Sequence, residues 1–378
     1  MDGTDVDGTD VDGTDEGARV LLPVGTVFTP DDIVFHAGKG TRSLEEAIAG
    51  ADVLVSCPHA GAAIPAELDR FLAPQFTRRL QYDFTDVSTS AVVRRWAAID
   101  PRIVAVENPH PRMIRDPNRA RPADLAADLR SAFERVRAAG PGRRVDLSGV
   151  DAIRPVTFSF FPLLEPPTDD AALEELAATF EAVAEHGLGV YERTRDDLLE
   201  RFVESAFATH RSIVTLSFHD TMNHTTRLGG AIDVDRDPAD RLPAVVALSN
   251  RGDAAGEPRD DQPVTMGPSR LRALAAAHRT GFRAPDDAVT LNQPYLGSQE
   301  IIRAGQRFRE LAPEASRRGV TLDAVQAEFL REFLLGPGNA AVLSRPGTGW
   351  IEPDPAWVDD LARACRDAWD EYRAAVAG

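Results

Sequence analysis

Lysine is nearly absent from this chain of 378 residues: Lys39 is the only one among 42 basic residues, and all the others are arginine. Cysteine is almost as scarce, with Cys57 and Cys365 alone. Two cysteines so far apart make no zinc knuckle and no disulfide framework, so any metal here must be held by histidine and carboxylate. No window holds the roughly 18 uninterrupted apolar residues that a membrane helix needs. Met1 is followed by Asp2 and Gly3 rather than by basic residues and an apolar run, so no secretory signal is expected. Positive charge is in deficit, since 60 Asp and Glu against the 42 bases leave a formal net charge of −18. That deficit argues against nucleic acid as the main partner, because phosphate binding needs clustered Lys and Arg. HExxH and paired CxxC motifs are also missing, so no local zinc signature is available.

What remains is a chain rich in carboxylate and arginine. Arginine in place of lysine is what the codons of a GC-rich genome would produce. The carboxylate excess points further, to a protein kept soluble in concentrated salt, where repulsion is screened within about 3 Å at roughly 1 M. The composition resembles that of cytoplasmic proteins from halophilic cells and predicts a cytoplasmic location. With 43% apolar residues the chain can bury a substantial core. Its length suits one large domain or two ordinary ones.

Residues 2–15 read DGTDVDGTDVDGTD, a five-residue repeat without core formers. They predict a disordered, solvated tail over residues 1–18. Its Asp5-Val6-Asp7-Gly8 has the start of a calcium loop but lacks the third acid and the closing Glu. A single folded domain is expected over 19–378. Short apolar runs at 51–57, 102–106, 212–218, 243–248 and 288–291 read as strands. Helical spacing appears at 86–99, 170–186, 191–210, 269–280, 321–335 and 355–377. Residues 120–150 and 220–265, rich in Asp, Gly, Arg and Pro, read as loop insertions. The alternation predicts an α/β three-layer sandwich with a mostly parallel or mixed central sheet.

Sites in such sheets lie just past the carboxyl ends of strands. His59 follows the first predicted strand, and His219-Asp220 the third. The second is followed by Glu107 to His110 and then by the segment 112–119. Two strand-end histidines and one carboxylate, from Asp83 or Asp86, would make a three-ligand site with an open position for water. The plainer readings are hydrogen-bonded structural histidines and helix N-caps. Asp86, directly before the helical segment, suits the N-cap role better.

At these residues the sequence resembles the N-formylglutamate amidohydrolase (deformylase) family. VLVSCPHAGAAIP (53–65) is similar to the family's opening strand and Pro-His turn, and YDFTD (82–86) to its Asp-containing segment. RMIRDPNR (112–119) is similar to its Arg-x-x-x-Asp-x-Asn-Arg signature, and VTLSFHD (214–220) to its strand ending in His-Ser. LNQPYLGSQEIIRAG (291–305) and AVQAEF (324–329) match its Asn-x-Pro and Gln-x-Glu stretches. The resemblance implies a zinc-exopeptidase-like (phosphorylase/hydrolase-like) fold and one divalent metal ion, with zinc expected. It also implies hydrolysis of an amide on a small anionic N-acyl amino acid.

By the same resemblance, His59, Asp83 and His219 are the expected metal ligands, with Asp83 matching better than Asp86. Glu328, on a late helix, is the expected general base. Arg112 would stabilise the oxyanion. Arg112, Asn118, Arg119 and Arg303 would hold substrate carboxylates, since a guanidinium fork meets a carboxylate in two places. Asp116 would orient its neighbours. The sequence departs from the family at Asp220, where Ser is usual, and at Pro111 and Pro117. Asp220 is open to three readings: an extra ligand, a supporting acid, or a mark of altered substrate. His224 reads as a surface loop histidine. The competing functions are a zinc carboxypeptidase or deacylase of different acyl specificity, and a non-catalytic relative binding an acidic metabolite.

Overall fold

Apolar runs bounded by Gly and Pro become strands, and the amphipathic acidic segments become the helices that cover them. The computed structural model describes residues 17–260 and 262–377; the acidic repeat of residues 2–15 lies outside them. Among the described residues the strands are β1 (Leu21–Leu22), β2 (Val34–His36), β3 (Val53–Cys57), β4 (Ile64–Pro65), β5 (Ile103–Glu107), β6 (Ile213–Thr221), β7 (His224–Thr226), β8 (Ile232–Asp235), β9 (Val246–Ser249), β10 (Val289–Leu291) and β11 (Leu322–Leu330). The helices are α1 (Pro30–Ile33), α2 (Leu44–Gly50), α3 (Thr89–Ile99), α4 (Leu125–Ala139), α5 (Asp170–His186), α6 (Leu188–Thr209), α7 (Pro268–Gly281), α8 (Gln299–Arg318), α9 (Arg331–Leu343) and α10 (Pro355–Val376).

Seven strands form one sheet in the order β10-β9-β11-β6-β3-β5-β2. Pairing is parallel except at β9/β11 and β2/β5. Helices α3, α7 and α10 pack on one face through Trp96, Leu274 and Trp369, against Val55, Leu216 and Val325 of the sheet. Helices α2, α6 and α8 pack on the other, where Phe202 and Phe308 meet Leu54 and Val104. The result is the three-layer α/β sandwich with a mixed sheet that the alternation predicted. No helix among the described residues is long and apolar enough to cross a membrane.

Two expectations are corrected. Residues 321–335 do not form one helix: 322–330 is the central strand β11, and only the residues after it are helical. Leu322, Val325 and Phe329 imitate a helical stripe by their spacing. β11, however, is hydrogen-bonded on both edges, to β6 and β9, and is buried on both faces. A strand buried on both faces loses the alternation that identifies it. The loop expected at 120–150 contains the fifteen-residue helix α4. Its Leu125, Leu129, Ala132 and Phe133 are buried at helical spacing, and Asp124 caps it by accepting from the Ala127 N–H at 3.0 Å. Asp124→Ala is expected to cost about 1 kcal/mol in urea denaturation, the usual value of an N-cap. No loss of stability would mean that the cap contributes nothing.

The topology sets where chemistry can occur. From β3 the chain runs through α3 to β5 on one side, whereas β6 lies on the other side of β3. The connections leaving β3 and β6 diverge there and leave a crevice at the carboxyl ends of both strands.

Candidate active site

His59 sits two residues beyond β3, and His219 lies within the last turn of β6 before it ends at Thr221. Both are 2% exposed. Gly61 lets the loop after β3 close on the loop after β5, because a Cβ there would stand 2.1 Å from the Pro109 carbonyl. That contact explains why the Pro-His turn ends in glycine. The Asp86 N–H donates to the His59 carbonyl at 2.9 Å, which ties the entrance of α3 to the histidine.

Three atoms converge in the crevice. The Nδ1 atoms of His59 and His219 are 3.2 Å apart. Asp86 Oδ2 lies 3.3 Å from the His219 nitrogen and 3.6 Å from that of His59. Two ligands at about 2.05 Å from a tetrahedral ion are about 3.3 Å apart, so these spacings fit a cation. The donor chemistry agrees. His59 Nε2 faces Asp116 Oδ1 at 3.0 Å. A carboxylate can only accept, so the His59 proton sits on Nε2 and its Nδ1 lone pair points at Asp86 and His219. Electron pairs crowded in this way repel unless a proton or a metal lies between them. Burial and Arg112 oppose a protonated His59, but the Asp116 and Asp86 carboxylates outweigh them and raise its pKa. Burial also opposes the Asp86 anion, yet the two imidazoles hold Asp86 well below the usual carboxylate range.

The carboxylate that the structure brings to the two histidines is Asp86, where the resemblance favours Asp83. Asp83 also lines the cavity but stands apart from the histidines, accepting from the Ser159 N–H at 3.0 Å and the Thr226 hydroxyl at 2.8 Å. Asp86 is not an N-cap either. The first turn of α3 is capped by Asp220, which accepts from the Ser88 N–H at 3.0 Å and the Thr89 hydroxyl at 3.2 Å. Consecutive strand residues point to opposite faces, so His219 turned toward the cluster leaves Asp220 turned away from it. Asp220 thus does not join the converging cluster. It pairs with Arg331, a fully buried guanidinium that also lies 3.6 Å from Asp86 Oδ1. Burial pushes the Asp220 carboxyl up to about 6 despite Arg331, with the Asp86 charge adding to the rise.

Glu328 stands beside His219 in the parallel register of β11 and β6. It is 9% exposed and lines the cavity from a strand rather than a helix. Gln326, two residues earlier on the same strand face, donates to Glu328 Oε2 at 2.8 Å. Burial raises the Glu328 pKa to about 7; His219 pulls it down, and the Asp86 and Asp220 charges push it further up. Asp116 receives the Arg112 guanidinium as well as His59 and the Asn118 N–H. The cavity over the cluster measures about 640 Å³ and is lined by Arg112, Asn118 and Arg119 among others. Asn118 Oδ1 is buried there without a partner. Arg119 is tied to Asp151 at 2.6 Å.

Arg303 does not line this cavity. It is exposed on α8 and borders a separate small cavity with Arg195 and Asp196. On α8 it is Gln299 and Ile302 that line the main cavity; Arg303 falls on another side of the helix. Two arginines that the sequence reading did not select, Arg236 and Arg251, line the main cavity, and Arg236 donates to the Tyr295 hydroxyl at 3.0 Å. Both lie in or beside irregular segments, where no periodicity marks a direction. Arg303→Ala should leave KM unchanged, whereas Arg236→Ala should raise it by about 10–100-fold if it meets a substrate carboxylate. The reverse pattern in steady-state kinetics would return Arg303 to the site. His224 is part-exposed, between Glu332 at 2.9 Å and Asp235 at 3.3 Å.

A family profile described as N-formylglutamate amidohydrolase matches residues 51–333. No curated protein shows significant sequence similarity to the chain. Among solved structures, the N-formylglutamate amidohydrolase of Ralstonia eutropha JMP134 is 19% identical with a TM-score of 0.45, over 86% of this chain and 95% of that one. A gene product from Agrobacterium tumefaciens is 16% identical with a TM-score of 0.45, over 88% and 94% of the two chains. The profile spans most of the sequence, from the strand before His59 to beyond Glu328, and on that ground the chain belongs to the N-formylglutamate amidohydrolase family.

Proposed function

We propose that this protein hydrolyses the amide bond of N-formylglutamate or a closely related N-acyl amino acid. In this reading His59, Asp86 and His219 hold one divalent cation, with zinc suited to two imidazoles and a carboxylate. When bound, such an ion lowers the pKa of water toward about 7 and polarises the acyl carbonyl. Glu328 takes the proton from the attacking water and passes it to the amine nitrogen as the C–N bond breaks. Gln326 holds Glu328 in place for both transfers. Arg112, steadied by Asp116 and by the Phe158 ring at 4.8 Å, meets the oxyanion. Asn118 lines the cavity beside Arg112 and offers its side-chain amide to the substrate. Arg236 and Arg251, with Arg119, supply the positive charge for the two carboxylates of a dicarboxylic substrate.

The observation that carries the reading is the convergence of three electron-pair donors beside a buried carboxylate whose pKa is raised to about 7. The test is release of formate and free amino acid from N-formylglutamate, set against a panel of other N-acyl amino acids, with and without a chelator. Preferred cleavage of N-formylglutamate, lost on chelation, is the expected result. Preference for another acyl group would make the protein a deacylase of different specificity. No turnover with any divalent metal would leave a binding protein.

The carboxylate-rich composition is read as adaptation to a salt-rich cytoplasm. The melting temperature should then rise as KCl goes from about 0.1 M to about 1 M, because screening shortens from about 10 Å to about 3 Å. A flat or falling curve would reduce the composition to codon usage.

A further inference from the structure

Behind the candidate ligands lies a buried polar network that the hydrolytic chemistry does not use directly. Glu300, in the first turn of α8, is 7% exposed. Its Oε1 accepts from the Tyr191 hydroxyl at 2.5 Å and from Arg195 Nη1 at 2.8 Å. Its Oε2 accepts from the Ser56 hydroxyl at 2.6 Å and from the Ser217 hydroxyl at 3.0 Å. Ser217 Oγ is also 2.9 Å from His219 Nε2 and receives the Ser298 hydroxyl at 3.2 Å. Ser56 and Ser217 are paired across β3 and β6, with their side chains toward α6 and α8.

A count of protons fixes the direction of every bond. The Glu300 anion, held low near 2 against burial by Arg195 and its hydroxyl donors, can only accept. Ser217 must therefore spend its single proton on Glu300. A hydroxyl has two further acceptor positions, and these face Ser298 and His219. His219 Nε2 must then carry a proton, and in the neutral ring Nδ1 keeps its lone pair toward His59 Nδ1 and Asp86, with the Asp86 carboxylate at 3.3 Å as the competing acceptor for that proton. We propose that Glu300, acting through Ser217, is a positioning residue that sets the His219 tautomer. It thereby turns an electron pair rather than an N–H into the cation site. The Nε2 proton follows from the shorter contact with Ser217 and its bond to Glu300; its consequence for cation affinity rests on the proposed ligand set of His59, Asp86 and His219.

Glu300→Gln tests the relay, because Arg195 cannot accept. The new amide must present its oxygen to Arg195 and Tyr191, and its NH₂ to Ser56 and Ser217. Ser217 then accepts from residue 300, and with Ser298→Ala added, which removes the other hydroxyl able to accept, its proton turns to His219 Nε2, which must give up its own. Nitrogen-15 NMR of imidazole tautomers reads this directly in chelator-stripped protein, with the imidazoles neutral and His219 assigned through His219→Gln. The wild type and Ser298→Ala should show His219 protonated on Nε2, and Glu300→Gln in the Ser298→Ala background should move the proton to Nδ1. Ser217→Ala leaves the Glu300–Arg195 pair intact, so it guards against a misfolded first variant. It should yield a mixture of tautomers. Competition with a chromophoric chelator should show about 10–100-fold weaker zinc binding in both variants. A wild-type His219 protonated on Nδ1, or a tautomer unchanged in both variants, overturns the relay. A switched tautomer with unaltered zinc affinity upholds the relay and instead removes His219 from the ligand set.

Discussion

Glu328→Gln is expected to lower kcat by about 10²–10⁴-fold, the range that a positioned acid–base group contributes. Cation content should stay the same, because Glu328 is not one of the three converging residues. The substitution removes the only group in the proposal that both accepts the water proton and returns it to the amine. The wild-type pH profile carries the same information. Glu328 must be ionised to act as a base, and its pKa is raised to about 7. The rate should rise with pH through about 7 and fall below it as the carboxyl is protonated. A bound cation favours the anion and moves that limb lower. Near-normal turnover in Glu328→Gln, measured as formate release, would take Glu328 out of the mechanism.

Asp86→Asn should weaken cation binding by more than about 100-fold, beyond the usual effect of a supporting residue, and abolish turnover with it. Asp83→Asn should leave cation affinity unchanged. The two acids are three residues apart, and alignment by resemblance favours Asp83. Geometry separates them: Asp86 Oδ2 lies within 3.6 Å of both histidine nitrogens, whereas Asp83 is occupied by Ser159 and Thr226. Removing Asp86 also takes one partner from Arg331, though Asp220 remains to hold that guanidinium. Metal analysis of the two purified variants decides the matter. Retention of the cation by Asp86→Asn and its loss by Asp83→Asn would reverse the assignment.

Much of the sheet is readable in one dimension because its strands are short apolar runs between Gly and Pro. The runs at 51–57, 102–106 and 212–218 became β3, β5 and β6, the strands around the crevice. β11 was missed because a strand buried on both faces shows no alternation. That single misreading hid a relation within the site. On a helix Gln326 and Glu328 diverge by about 200°, but on a strand they share a face, and one donates to the other. Arg331 and Glu300 gave no signal, since their partners lie more than 80 residues away in the chain.

By itself the sequence determined the residue types available. Nearly all its cationic side chains are arginine, its cysteines are too few to hold a metal, and histidines stand at two strand ends. Those facts already required any cation site to be built from imidazole and carboxylate, and any anion site from guanidinium. Only the tertiary structure brought Asp86 to the two imidazoles, placed Arg236 and Arg251 on the cavity wall and turned Nδ1 of each histidine inward. Sequence spacing gives the order of residues along a strand or helix. The direction of a carboxylate, and the nitrogen that bears a proton, depend on donors and acceptors brought together from distant strands.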